Sequence, residues 1–270
     1  MATKRQARST KKLNNLRKQR GKYPELLAKI IDSSDIILEI LDARFSKEMQ
    51  NKEIEKLILK KGKRLIYVLN KSDLTTKHNK GPSSRVFVSC KLRKGIAELR
   101  NKIKEEAKKV RKENKHEAVQ VGVIGYPNTG KSSLINLLIG RNSAKTGSEA
   151  GFTKSVQKLR MTENITLLDS PGVIPAKEYS MTNEEKIAQH VKIGGRSHNQ
   201  VKDPETALNE IVKTNKKALE KYYKINFEDA EDLIQKIGKK KGFLKKGAEI
   251  DSDRTARIIL KDWQDGKIET

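Results

Sequence analysis

The chain has 270 residues, enough for one α/β domain of ordinary size and a smaller second one. Its 59 Lys and Arg against 34 Asp and Glu leave a net charge of +25, which favours a polyanionic partner, nucleic acid ahead of an anionic membrane. A single cysteine excludes an internal disulfide, the four histidines make none of the local spacings of a zinc site, and no apolar run is long enough to cross a bilayer.

In chain order, residues 1–22 are basic and nearly free of large apolar side chains, so they read as a flexible arm. From Tyr23 onward Leu26, Leu27, Ile30 and Ile31 recur at helical spacing, and a strand is predicted at 35–42. A helical pattern follows over 47–61 (Ile54, Leu57, Ile58), Gly62 breaks it, and strands are predicted at 64–69 and 85–88. Gly95 opens an amphipathic helix through about Val110, with Ile96, Leu99 and Ile103 on its apolar face. A strand at 119–124, a glycine-rich turn, a helix at 131–139 and strands at 155–161 and 164–168 complete an α/β unit with a mostly parallel sheet. Past Pro175 helical patterns take over near 183–193, 204–221, 227–237 and 252–264. The predicted organisation is therefore an arm (1–22), an α/β domain (23–178) and an all-helical domain (179–270).

The stretch Gly125-Tyr126-Pro127-Asn128-Thr129-Gly130-Lys131-Ser132 matches the phosphate-loop pattern, after a strand and before a helix. Its glycines allow the backbone to close around phosphate oxygens, and the amides at the helix start supply donors. In that reading Lys131 reaches the β- and γ-phosphates, Ser132 ligates magnesium and Ser133 donates to the α-phosphate; the bland alternative is an ordinary strand-to-helix turn. Asn70-Lys71-Ser72-Asp73 selects the base. Asp73 can accept from N1–H and the 2-amino group of guanine, Asn70 can brace neighbouring loops, and the Lys71 stem can cover the ring. Ser89-Cys90-Lys91, after another strand, fits the loop whose amide meets guanine O6, although Cys90 also reads as a small buried hydrophobe. Asp169-Ser170-Pro171-Gly172 ends a strand, where Asp169 can hold a magnesium-bound water and the Gly172 amide can face the γ-phosphate. Thr153 is the candidate mobile magnesium ligand.

These motifs, in the order NKSD, SCK, GYPNTGKS, Thr153, DSPG, resemble the circularly permuted GTPases of the YlqF/RbgA and nucleostemin-like group, which act in ribosome assembly. The resemblance covers residues 24 to about 178 and extends to the ending 243–267. It implies a permuted P-loop GTPase fold, slow magnesium-dependent hydrolysis of GTP to GDP, and a ribosomal RNA or ribosomal-subunit partner, in a cytoplasmic monomer without membrane association. Asp42-Ala43-Arg44 is similar to the family's DAR motif, but Ser46 stands where proline is usual, which leaves the turn open. Val173 occupies the place of the water-orienting glutamine of Ras-like proteins. Asn128 matches an asparagine that helps bind potassium in related GTPases; a loop-stabilising hydrogen bond is the equal alternative. Residues 173–182 are the candidate switch between nucleotide and helical domain.

Within 252–264, Arg254, Arg257 and Lys261 can share one face as phosphate contacts, with Ala256, Ile259 and Trp263 opposite; the alternative is a solvated basic face. Three functions are thus in view. One is a GTPase that binds an RNA particle and leaves after hydrolysis; the second is an RNA-binding module in which GTP is a conformational ligand. The third, a GTPase of anionic membranes, is disfavoured because the basic amino terminus lacks the apolar face of an interfacial helix.

Overall fold

Ile36–Asp42 is buried along its whole length and forms the central strand, β1, as its near-continuous apolar run requires of a strand covered on both faces. The computed structural model describes residues 25–75, 84–114, 117–140, 157–169, 190–195 and 197–269. Beside β1 stand β2 (Arg64–Asn70), β3 (Arg85–Phe87), β4 (Val119–Gly125), β5 (Gln157–Thr162) and β6 (Ile165–Asp169), in the order β3-β2-β1-β4-β6-β5. Every neighbouring pair is parallel except β5 with β6. Parallel neighbours need crossovers, and helices α1 (25–33), α2 (Ser46–Met49), α3 (Lys52–Lys60), α4 (Ile96–Asn114) and α5 (Lys131–Ile139) lie between or beside the strands.

Strand alternation then sorts the core. Ile36, Leu38 and Ile40 face α4 through Leu99 and Ile103 and α5 through Leu134 and Ile135. On the other face Ile37 packs with Ile30 and Ile31 of α1, Ile58 of α3 and Ile124 of β4. Leu41, nearer the carboxyl end of β1, joins Phe45, Met49, Leu69 and Tyr126 in one cluster with α6 (Pro204–Tyr223), α7 (Ala230–Lys241) and α8 (Ser252–Gln264). The C-terminal helices therefore cover the sheet's carboxyl edge, and Trp263 is fully buried there.

The structure departs from the predicted elements in two places. The stretch 47–61 is two helices, because Gln50 is extended and the Asn51 side chain accepts from the amides of Glu53 and Ile54, starting α3 afresh. The helix expected over 227–237 begins at Ala230, capped by Asp229, and runs to Lys241. The DAR turn forms without proline. Asp42 caps a 3-10 turn over Ala43–Phe45, and Ser46 adopts φ −58, a value proline would itself impose. The basic arm and the 173–182 switch lie outside the described residues.

One strand residue breaks the apolar run. Glu39, 4% exposed, sits in register with Tyr67 on one side and Ile124 on the other. Tyr67 Oη donates to Glu55 Oε2 at 3.0 Å, while Glu39 Oε2 has no hydrogen-bond partner among the described residues. Burial first, then the neighbouring Glu55 charge, push the Glu39 carboxyl up to about 8 from 4.5, against a backbone hydrogen bond from Asn51. A folded value above the unfolded one means that the folded state holds the extra proton between these limits. The group's contribution is thus full below about 4.5 and is lost as pH rises through about 8. Glu39→Gln should leave stability near pH 5 unchanged and raise it at about pH 8 by on the order of 2 kcal/mol, read from urea unfolding at both values.

Candidate nucleotide site

The parallel register sets the strand ends in one row: Asp42 lies opposite Asn70, Ile40 opposite Gly125, and Val123 opposite Asp169. Loops leaving β1, β2, β3 and β4 meet at this edge, beside the end of β6 at Asp169, where open α/β sheets bind ligands.

The loop from β4 to α5 is closed on itself. Lys131, buried, donates from Nζ to Gly125 O at 3.1 Å and to Tyr126 O at 2.6 Å, and Thr129 Oγ1 donates to Tyr126 O at 2.9 Å. Asn128 and Gly130 take left-handed backbone with φ of 59 and 89, and no side chain caps α5, so its first amides face the loop's concavity. Tyr126 and Pro127 are buried, whereas Ser133 is exposed in the first turn of α5. Burial lowers the Lys131 amine to about 8 from 10.5, and the Asp169 carboxylate works against that shift. Among the described residues this ammonium has two carbonyls as hydrogen-bond acceptors and the electrostatic influence of one carboxylate, an environment that a phosphate would complete. Ser132 Oγ stands 3.5 Å from Asp169 Oδ2, two hard oxygen donors on adjacent elements that fit a magnesium ion.

The base side is built on Asn70. Its Nδ2 donates to Thr129 O at 2.7 Å and its Oδ1 accepts from Cys90 N at 3.2 Å, so one buried amide ties the 70–73 loop to the phosphate loop and to the 89–91 loop. A Cβ at Gly130 would collide with that amide nitrogen, which is why glycine stands there. Ser89, buried, donates from Oγ to Asp73 Oδ1 at 2.5 Å and accepts from Leu92 N at 3.0 Å. Cys90 is half-buried with its thiol pushed up to about 12 by burial, and Lys91 is exposed. Lys71, with φ 59, sends its amine to Asp42 and to the Gln264 carbonyl, 3.2 Å from each.

The structure thus gathers Asn70, Lys71, Asp73, Ser89, Cys90, Tyr126, Pro127, Asn128, Thr129, Gly130, Lys131, Ser132 and Asp169 along one edge. Thr153, Gly172 and Val173 lie outside the described residues. Asn128 Nδ2 donates to Gly194 O at 3.4 Å, so the loop-stabilising role is visible. Arg254 is exposed over the Phe243 ring at 4.4 Å, Lys261 is half-buried, and Arg257 is committed to Asp253 and to His198 O at 2.7 Å. Asp42, Arg44 and Gln264 also border the site. The DAR motif is the signal for the first two; nothing local marks Gln264.

Two outcomes test the geometry. Binding GDP should raise the Lys131 amine, so calorimetry in buffers of different ionisation heat should show proton uptake at about pH 9 and none from this group at about pH 6.5, and affinity should decline above about pH 8. Lys131→Ala should abolish the uptake. Asp73→Asn should lower GTP affinity and favour xanthosine triphosphate, whose carbonyl replaces the 2-amino group; unchanged discrimination between the two would remove Asp73 from the site.

The chain is similar to several known GTP-binding proteins. A model of the 50S ribosome-binding GTPase family matches residues 120–229. An uncharacterized GTP-binding protein of Methanocaldococcus jannaschii is 40% identical over 252 residues, 90% of this chain and 65% of that protein. The guanine nucleotide-binding protein-like NSN1 of Arabidopsis thaliana is 32% identical, over 93% of this chain and 48% of its own. For the nuclear GTP-binding protein NUG1 of Saccharomyces cerevisiae the figures are 30%, 94% and 56%. The chain spans about half to two thirds of the length of these relatives. Among solved structures, GNP-bound YlqF from T. maritima shares the fold with a TM-score of 0.60 at 18% identity, covering 91% of this chain and 94% of that one. GDP-bound YlqF from the same source gives 0.55 at 20% identity, over 86% and 91%. With its 70–73 loop ahead of its 125–132 loop in the chain and both on one sheet edge, this chain shares the fold of YlqF and is similar in sequence to GTP-binding proteins of the nucleostemin-like type, with a 50S ribosome-binding GTPase match over residues 120–229.

Proposed function

We propose that the chain hydrolyses GTP to GDP and phosphate and acts in ribosome assembly, binding ribosomal RNA or a preribosomal subunit according to its nucleotide state. The observation that carries the nucleotide half is the Asn70 amide, which ties the 70–73, 125–132 and 89–91 loops together at one edge. In this reading Asp73 takes the guanine edge and the 89–91 loop meets O6. Lys71 covers the ring, and Lys131 with the α5 amides and Ser133 holds the phosphates. Ser132 and Asp169, with Thr153, would hold magnesium, which would supply positive charge against the phosphates. Gly172, outside the described residues, would offer its amide to the γ-phosphate in this reading. Potassium at Asn128 would add positive charge beside the β- and γ-phosphates. The names of the yeast and plant relatives describe nuclear or guanine nucleotide-binding proteins, and the matched family model describes ribosome binding. Both support the guanine-nucleotide and ribosome parts of this reading; the proposal also takes the protein as cytoplasmic and acting as a single copy.

Uncommitted charge carries the RNA half. Lys239, Lys240 and Lys241 end α7, Lys245 and Lys246 follow in a turn, and Arg254 opens α8; all are exposed. Lys239, Lys241, Lys245 and Lys246 make no ion pair among the described residues, unlike Arg257. The turn that presents them is fixed by Phe243 N to Gly238 O at 2.9 Å, Lys245 N to Glu249 O at 2.8 Å and Asp251 N to Phe243 O at 2.8 Å. Together with Arg254, Lys261 and the 1–22 arm, these cations suit phosphates rather than base edges.

The test is RNA affinity against salt with single-stranded ribosomal RNA fragments. Replacing Lys239, Lys241, Lys245 and Lys246 with Ala should flatten the slope of log K against log salt by about 0.7 for each phosphate no longer neutralised, across many sequences, with GDP affinity retained. An unchanged slope would move the interface elsewhere. Equal affinity of the intact protein for ribosomal subunits with GDP and with a non-hydrolysable GTP analogue would argue against nucleotide control.

A further inference from the structure

Lys71 is held from outside its own loop. Its amine is shared by Asp42 Oδ2 and the Gln264 backbone carbonyl, each at 3.2 Å. Asp42 is buried and in turn fixed by Arg44, which donates from its backbone N at 3.1 Å, from Nε at 3.0 Å and from Nη2 at 2.9 Å. Burial alone would raise that carboxyl, but Arg44 and then Lys71 hold it well below the usual carboxylate range. The Arg44 guanidinium also lies 5.0 Å from the Phe45 ring and 5.1 Å from the Trp263 ring, and Nη1 donates to Trp263 O at 3.4 Å. Past the helix, a Cβ on Gly266 would stand 2.7 Å from Leu74 Cδ1 and 3.8 Å from Lys71 Cδ, so the chain leaving α8 runs against the base-reading loop.

The same helix end holds the phosphate side. Trp263 Nε1 donates to Lys192 O at 2.8 Å and Gln264 Nε2 to Val191 O at 2.9 Å, and the 190–195 segment touches the phosphate loop through Asn128 and Gly194. The last carbonyls of a helix lack internal donors and lie at the negative end of its dipole, so an ammonium placed there completes the helix while being held by it. A lysine stem covering a ring loses rotamer freedom; one whose amine is already tethered has lost much of it before the base arrives.

We propose that Asp42 and the carboxyl end of α8 are positioning groups for guanine recognition: they tether the Lys71 amine so that its stem is set over the base, and filling of the base pocket is transmitted to Trp263. Coupling of this kind is reciprocal, so a shift of α8 changes guanine affinity as base binding changes the seat of α8. The inference rests on the reading of residues 70–73 as the guanine loop.

Trp263 is the sole tryptophan of the chain, so its emission reports on this junction without a label. The decisive variant is Lys71→Met, which keeps an apolar stem and removes the tethered amine. GDP binding measured by calorimetry should weaken about tenfold, the scale of one charge-assisted hydrogen bond, although the ring can still be covered. Wild-type protein should change its Trp263 emission on saturation with GDP, and Lys71→Met saturated with GDP should not. Asp42→Asn should weaken GDP similarly, and the double variant should bind no more weakly than Lys71→Met alone. Because Asp42→Asn also removes the partner of Arg44, Lys71→Met carries the test by itself if that variant does not fold. Wild-type affinity in Lys71→Met, a silent Trp263 in GDP-saturated wild type, or an emission change that survives in Lys71→Met would overturn the proposal. Absence of any GDP heat in the wild type would instead overturn the guanine-loop reading beneath it.

Discussion

The site depends on one buried side-chain amide. Asn70 spends its nitrogen on the Thr129 carbonyl and its oxygen on the Cys90 amide, and so spans three loops that the chain reaches at widely separated positions. The 70–73 and 125–132 loops lie far apart in the chain, so no short connection holds them in register. The sheet does the coarse alignment, by pairing β2 with β1 and β1 with β4, and Asn70 does the fine one. A buried amide with both ends satisfied stabilises modestly, but leaving either partner unsatisfied costs about 1–3 kcal/mol. That asymmetry enforces the geometry. It also explains Gly130, where any side chain would occupy the space Asn70 needs.

Two buried charges near this edge have opposite characters. Asp42 is fully compensated, by Arg44 and Lys71, and its low proton affinity records a finished ion-pair network. Among the described residues Lys131 has its own loop's carbonyls and the influence of Asp169, and burial lowers its amine to about 8. A compensated buried charge belongs to the framework; an undercompensated one beside open helix amides suits an anionic ligand. Glu39 is a third kind, a carboxyl held in its neutral form inside the sheet, and its setting is framework rather than site.

The C-terminal helices are built into the nucleotide edge, since Leu41, Phe45, Leu69 and Tyr126 share one apolar cluster with α6, α7 and α8. Trp263 and Gln264 hold the backbone of Val191 and Lys192, and Arg257 holds that of His198. The segment 190–198 is thereby clamped between the phosphate loop and the final helix. The candidate switch at 173–182 falls outside the described residues, but Asp169 before it and this clamped segment after it both stand at the site.

Much of this was legible in the residues themselves. The strand runs, the glycine-rich turn before Lys131 and the order of the motifs carry their chemistry within a few positions, because backbone conformation, helix starts and phosphate cradling are local. The helix break at Gln50 and Asn51 was within reach, since asparagine is a strong cap, but helical periodicity on both sides masked it. Other features had no local trace. Lys71 meets Gln264 across 193 positions, Trp263 meets Lys192 across 71, and Arg257 turns from a free cation into a clamp only because His198 is folded against it. Sequence alone determined which chemistry the loops could perform. Tertiary packing decided which side chains were left free to perform it, because burial and long-range partners assign each charge either to the framework or to a ligand.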